Sequence, residues 1–245
     1  MAVGFSEKSV TIHFIRGSHV THQEQSHLTN SQGITLAGLL ETPDAPRGYA
    51  LFAHCFTCGK DLGSASRISR ALAAQGIAVL RFGFTGLGNS SGDFANSNFS
   101  SNVDDLIAAA NFLGERYQAP DILVGHSLGG TAVLTAAQQL PSVKGVVTIG
   151  APAEPSHVIK QFGADVDRIR VDGESRGNLA GREFSIKRQF LEDIDNHRLE
   201  NRLGELRKAL LIFHSPVDTV VSIEQAQKLY QAARHPKMLY LVGQG

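Results

Sequence analysis

The chain has 245 residues, 42% of them hydrophobic and 19% charged, with 23 basic side chains balancing 23 acidic ones. That length and apolar content support one substantial core rather than two full domains, and the charge balance offers no basic face for nucleic acid or an anionic membrane. Two cysteines three positions apart cannot cross-link a domain of this size; with no early apolar run long enough for a signal peptide or a spanning helix, a cytoplasmic protein with a small-molecule partner is expected.

Residues 1–30 read as a flexible or edge extension. Residues 10–15, Val-Thr-Ile-His-Phe-Ile, have the alternation of an edge strand, whereas His19, His22 and His27 sit among Gln, Ser, Thr and Asn. No Cys or carboxylate cluster joins those histidines, which favours a polar tail over a metal site. From residue 31 the pattern becomes regular. A loose alternation over 33–40 ends at Thr42-Pro43, a strand before a turn at 44–46. The apolar run 49–53 is a buried strand that leads into His54-Cys55-Phe56-Thr57-Cys58-Gly59-Lys60-Asp61. A helix pattern over 64–74 closed by Gly76, a strand over 77–82 and a glycine-rich loop over 83–92 follow. Ser101 suits the N-cap of a helix carrying Val103, Leu106, Ile107, Ala110 and Leu113, and Pro120 precedes the next strand.

The densest signal comes next. Apolar Ile122, Leu123 and Val124 run without a spacer into Gly125-His126-Ser127-Leu128-Gly129-Gly130, and helix spacing begins at once with Ala132, Val133, Leu134, Ala136 and Ala137. Strand, sharp turn and helix together make a nucleophile elbow. The turn forces its central residue into a strained backbone conformation, and the flanking positions tolerate only glycine. Ser127 is thereby raised above the sheet edge at a helix N-terminus, where free N–H groups favour developing negative charge.

A further apolar strand covers 143–149. Residues 151–206 break the rhythm: Gly173, Gly177 and Gly181 punctuate an arginine-rich stretch, a short strand is expected near 184–186, and 188–203 has the spacing of one amphipathic helix. This reads as a lid-like insertion, with Phe162, Phe184, Phe190 and Leu191 available as apolar lining or as ordinary packing. A strand at 209–213, a helix at 222–233 and a strand at 238–242 complete the pattern. Strands alternating with helices give the α/β class, a doubly wound, mostly parallel sheet covered on both faces, with ligands at the strand C-terminal ends.

Four motifs, His54 to Asp61, Arg81-Phe82-Gly83-Phe84-Thr85-Gly86-Leu87-Gly88-Asn89-Ser90-Ser91-Gly92, the elbow, and His214-Ser215-Pro216-Val217-Asp218, stand in the order found in α/β-hydrolases. Over 31–245 the chain resembles the N-terminal hydrolase domain of bacterial two-domain proteins that join an α/β-hydrolase to an osmotically-inducible-C-type domain. It is also similar to serine aminopeptidase-type and feruloyl-esterase-type hydrolases. The resemblance implies a serine hydrolase acting on an ester, thioester or small amide, with a small acyl substrate and neither cofactor nor metal. It implies Ser127 as nucleophile, Asp218 as the acid, and the backbone N–H groups of Phe56 and Leu128 as the oxyanion hole. Asp218 is equally at home as a turn aspartate.

The family's chain order is Ser, acid, His, so the base should follow the last strand. Relatives continue there with Asp-His and a closing helix, and the sequence reads as stopping short of them at Gly245. Among the histidines present, His54 belongs to the oxyanion loop, His126 to the elbow and His235 to the start of the last strand; His214 is the nearest substitute. Relatives also carry Asp where Gly83 stands and an acidic residue where Asn89 stands, which implies a looser loop here. Two other readings stay open: a non-catalytic binding module on the same fold, and thiol redox chemistry at Cys55-x-x-Cys58. Oligomeric state has no signal in the sequence.

Overall fold

The computed structural model describes residues 21–54, 63–163, 165–179, 182–197 and 199–243. The elements of the main sheet are β1 (Thr21–Thr29), β2 (Thr35–Pro43), β3 (Gly48–Ala53), helix α1 (Gly63–Ala73), β4 (Ile77–Phe82), α2 (Phe99–Arg116), β5 (Ile122–His126), α3 (Leu128–Ala136) and β6 (Gly145–Ile149). The insertion contributes a 3-10 segment (Pro155–Phe162), α4 (Asp165–Asp172), the strands β7 (Glu174–Leu179) and β8 (Arg182–Lys187), α5 (Arg188–Asn196) and α6 (Glu200–Leu203). The chain then returns to the sheet with β9 (Ala209–His214), α7 (Ile223–Ala232) and β10 (Lys237–Leu241).

Eight strands form one sheet in the order β1-β2-β4-β3-β5-β6-β9-β10. The β1–β2 and β2–β4 pairs are antiparallel and the remaining pairs are parallel. Side-chain alternation sorts the strand residues onto the two faces. Leu51, Leu80, Leu123, Val146 and Leu210 join α2, α3 and α7 in the main core, while Ala50, Phe52, Val79 and Val124 pack with Ala65, Ile68 and Leu72 of α1 on the other face. On that second face, Ile122, Val147, Leu211 and Phe213 border a wholly apolar cleft of about 500 Å3 beside α1. The continuous apolar runs of β3 and β4 are thus those of parallel strands covered on both sides, whereas β6 and β9 leave their second-face residues partly exposed along the cleft.

Two departures from the sequence pattern have a tertiary cause. The polar stretch with His22 and His27 is an edge strand paired residue for residue with β2, burying only Ser26 and Leu28. A strand exposed over most of its length carries little apolar periodicity, and its order comes from the partner's backbone; residues 10–15 and His19 lie outside the described residues. The single amphipathic helix expected over 188–203 is two helices. Its break is held by bonds from outside: the Leu199 N–H donates to the Glu154 carboxylate at 2.9 Å, and the His197 ring meets Ser100 Oγ at 2.9 Å. The expected strand near 184–186 lies within β8.

Phe162, Phe190 and Leu191 belong to the main core, and the Phe184 ring stands 5.0 Å from that of Phe94. These residues fasten the insertion to the sheet domain. Asp193 of α5 adds a polar anchor, accepting from the Ser100 N–H at 2.8 Å and the Ser100 hydroxyl at 2.6 Å in the first turn of α2. That carboxylate satisfies a helix N-terminal donor which has no partner within its own helix.

Candidate active site

The elbow is built as its glycines demand. Ser127 has φ 54° and ψ −130°, a region that side-chain-bearing residues occupy only when the surroundings force them. Its N–H donates to the Ile149 carbonyl of the neighbouring strand at 2.9 Å, and its own carbonyl accepts from Gly130 at 2.8 Å. A Cβ at Gly125 would stand 2.4 Å from the Gly129 carbonyl oxygen, and one at Gly129 would stand 2.4 Å from that of His54. A Cβ at Gly130 would lie 2.5 Å from the Ala151 side chain. Strand β5, helix α3, the end of β3 and the chain leaving β6 therefore approach closely enough to exclude any side chain at the three positions. The result is a serine at the head of α3, beside helix N–H groups that have no intrahelical partner, with Leu128 the first residue of the helix.

Strand order places the second candidate. Strands β5, β6 and β9 are parallel neighbours, so the residues after their C-terminal ends, Ser127, Gly150 and the 215–221 turn, share one edge of the sheet. Gly150 has φ +55°, its N–H donates to the Phe213 carbonyl at 2.9 Å, and a Cβ there would be 3.4 Å from Asp218 Oδ2. Asp218 Oδ1 accepts from the N–H groups of Val220 and Val221, each at 2.9 Å. One carboxylate oxygen is thus tied to its own loop, while the other faces Gly150.

The histidines divide by position. His235 precedes β10, which runs parallel to β9, and so stands at the opposite end of the sheet from Ser127. His214 is buried, and its Nε2 donates to the Val221 carbonyl at 2.7 Å, which turns the ring proton into the loop and leaves the unprotonated Nδ1 shut away from the sheet edge. His54 is buried beside Phe84 at a ring separation of 5.3 Å. His126 is half-buried, and among the described residues its buried Nδ1 has no hydrogen-bond partner. Burial pushes its pKa below the ordinary imidazole value, against a weaker upward pull from the Asp218 charge. Phe56, together with Cys55 and Cys58, lies outside the described residues.

The loop after β4 is firmly bracketed, contrary to the looseness expected from Gly83 and Asn89. The Ser90 hydroxyl donates to the Gly83 carbonyl at 2.7 Å and accepts from the Ala37 N–H at 2.9 Å. It fills the space beside Gly83, where a Cβ would come within 2.8 Å of it. Asp105 of α2 supplies a second clamp, accepting from the Thr85 N–H at 2.8 Å and from Asn30 Nδ2 at 2.7 Å. Burial raises the Asp105 pKa above the usual carboxylate value, and the bonds from Asn30 and Thr85 pull it back. The sequence shows these residues only as polar positions in apolar surroundings. Their pairing spans up to 75 positions and is invisible to any local window.

The family described as serine aminopeptidase, S33, matches residues 44–170, which include the elbow. Among solved structures, the esterase domain of a Rhodothermus marinus protein is 46% identical, covering 91% of this chain and 89% of its own, with a TM-score of 0.74. Est1E of Butyrivibrio proteoclasticus with ferulic acid bound is 20% identical over 89% of each chain, with a TM-score of 0.78. Mouse palmitoyl-protein thioesterase ABHD10, a mitochondrial protein, is 29% identical over 154 residues, 60% of this chain and 50% of its own length. The chain thus spans about half the length of the curated relatives it matches. Among the described residues, no helix is long and apolar enough to cross a membrane.

Proposed function

We propose, on the premise that this chain belongs to the serine aminopeptidase S33 family of α/β-hydrolases, that it is a serine hydrolase cleaving an ester, thioester or small amide of a small acyl substrate. Hydrolase chemistry follows from the family. The finer reading rests on one observation, the strained Ser127 at the head of α3 in a turn where three glycines have no room for a Cβ. Such a turn costs about 1–3 kcal/mol in backbone strain and persists only where the surrounding structure imposes it.

In this reading Ser127 Oγ attacks the acyl carbonyl carbon as its proton passes to an imidazole base. The carbonyl oxygen gains the negative charge, which the N–H groups of Leu128 and Phe56 receive. Collapse expels the alcohol, thiol or amine, which takes the proton from the imidazolium, and water then cleaves the acyl-serine by the same route. Asp218 orients the base, which the resemblance assigns to a histidine after the last strand. Support for ester and thioester substrates comes from the relatives, one an esterase domain and another a palmitoyl-protein thioesterase.

The test is hydrolysis of short p-nitrophenyl esters and an S-acyl thioester by the natural protein, with a serine-directed fluorophosphonate as an independent probe. Turnover lost in Ser127→Ala, together with probe mass on the peptide carrying Ser127, is the expected outcome. Unchanged turnover in Ser127→Ala overturns the assignment, and ligand binding without Ser127-dependent turnover would make the chain a binding module.

A further inference from the structure

His214 is buried at 1% exposure, at the end of β9, and takes no part in the chemistry set out above. Its hydrogen bonds nevertheless converge on the acid. A carbonyl can only accept, so the 2.7 Å contact with Val221 places the ring proton on Nε2. The N–H of that same Val221 donates to Asp218 Oδ1 at 2.9 Å. One residue, Val221, therefore separates the imidazole from the carboxylate. The turn between them is also closed by the Val220 N–H on Asp218 Oδ1 at 2.9 Å, by the Asp218 N–H on the Ser215 carbonyl at 3.2 Å and by the Val217 N–H on the Ser215 hydroxyl at 3.4 Å, while the His157 ring meets the Val220 carbonyl at 3.2 Å. The main chain of His214 has a second task, since its carbonyl accepts from the Val242 N–H at 2.9 Å, just past the end of β10. A single residue thus ties the acid's loop and the exit of the last strand to the end of β9.

We propose that His214 is a positioning residue for the acid: its Nε2–H fixes the 215–221 loop so that Asp218 presents Oδ2 toward Gly150 and the elbow. The inference rests on the reading of Asp218 as the catalytic acid. Among the described residues the buried Nδ1 of His214 has no hydrogen-bond partner, so the ring is held by one directional bond rather than by general polar solvation. Replacement by an apolar side chain leaves the Val221 carbonyl unpaired in a dry site and loosens the residue whose N–H holds the carboxylate. Misplacement of a catalytic group by about 1 Å can cost on the order of a hundredfold in rate without any loss of substrate contacts.

The experiment compares His214→Leu, His214→Asn and His214→Gln in the natural protein on a p-nitrophenyl ester, with melting temperature measured for each. A glutamine amide nitrogen reaches the place of Nε2, whereas an asparagine amide reaches only the place of Nδ1. The expected result is a kcat lowered at least about tenfold in the Leu and Asn variants at nearly unchanged KM, and restored to within about threefold in Gln. A Leu variant that folds and keeps its kcat overturns the inference, as does a Gln variant as impaired as Asn. Should Leu fail to fold, the Asn and Gln pair decides alone. Ser127→Ala run alongside separates the two levels: if it retains turnover, the site reading itself fails; if it loses turnover while Asn matches the parent, only the role of His214 fails.

Discussion

Substituting alanine for Gly129 tests the elbow where sterics and propensity pull in opposite directions. Gly129 lies inside α3, where alanine is intrinsically favoured over glycine by about 1 kcal/mol. Against this, the added Cβ would meet the His54 carbonyl oxygen at 2.4 Å and that of Ala53 at 2.7 Å. Ordinary contact begins at 3.4 Å, so the elbow helix and the end of β3 must part by about 1 Å. Both obstructing atoms are backbone, which cannot rotate away, and overpacking of this kind costs about 1–3 kcal/mol. At about 2–4 °C of melting temperature per kcal/mol in a domain of this size, the net fall is several degrees. The greater effect falls on catalysis, because the displaced end of α3 carries Ser127 and Leu128, the proposed nucleophile and oxyanion donor. A displacement of about 1 Å there predicts a loss in kcat on the order of a hundredfold. Calorimetry and ester hydrolysis are read together, with Gly145→Ala as a control whose Cβ would meet its nearest atoms at 3.7 and 3.9 Å. A Gly129→Ala protein as stable and as active as the control would refute the close approach from which the elbow is deduced.

The remaining predictions concern the clamps around the site. Removing the Asp193 carboxylate with Asp193→Ala leaves the Ser100 N–H and hydroxyl in the first turn of α2 without their acceptor and should lower unfolding stability by about 1–2 kcal/mol in urea; an unchanged midpoint with unchanged m-value counts against the anchor. Asp105 Oδ1 accepts from Asn30 Nδ2 and Oδ2 from the Thr85 N–H, so Asp105→Asn sets an amide donor against one of these two donors, for an expected loss of about 1–3 kcal/mol. Because burial raises the Asp105 pKa in the folded state, its stabilising contribution is greatest below the unfolded carboxylate value and is lost as pH rises through the folded one. The parent's advantage over Asp105→Asn should therefore shrink as pH rises from the acid side, and a constant difference would show that the group is not desolvated. His126 has the opposite sign: its folded pKa is lowered, so its contribution is present above the ordinary imidazole value of about 6.5 and is lost as pH falls below it. His126→Phe should flatten the fall in melting temperature between about pH 7 and 5, and curves that stay parallel to the parent's would exclude a buried imidazole there.

Much of the fold was legible because the signals are local and repeated. A parallel strand inside the sheet carries apolar residues on both faces, so 49–53, 77–82, 122–124 and 209–213 announce themselves, and the helices between them carry their own spacing. The elbow was legible for a stricter reason. Three glycines around one serine are what the close approach of β5, α3, β3 and the chain leaving β6 permits, so the requirement is written at the site of the contact. The edge strand β1 was not legible: its residues are polar and mostly exposed, and only pairing with β2 orders them. The break between α5 and α6 was equally hidden, because the bonds that hold it come from Glu154 and Ser100, far back in the chain.

The sequence by itself determined the class of fold, the elbow and the residues offered for chemistry, since each depends on backbone geometry that a few adjacent residues impose. Tertiary structure alone decided which polar groups meet. Ser90 stands in for the space beside Gly83, Asp105 joins the loop after β4 to the first hairpin, and His214, which the sequence offers only as a misplaced base, turns its ring proton to Val221. The physical reason is the range of the interactions: a side-chain hydrogen bond works only within about 3 Å, and residues tens of positions apart reach that distance only after the sheet has assembled.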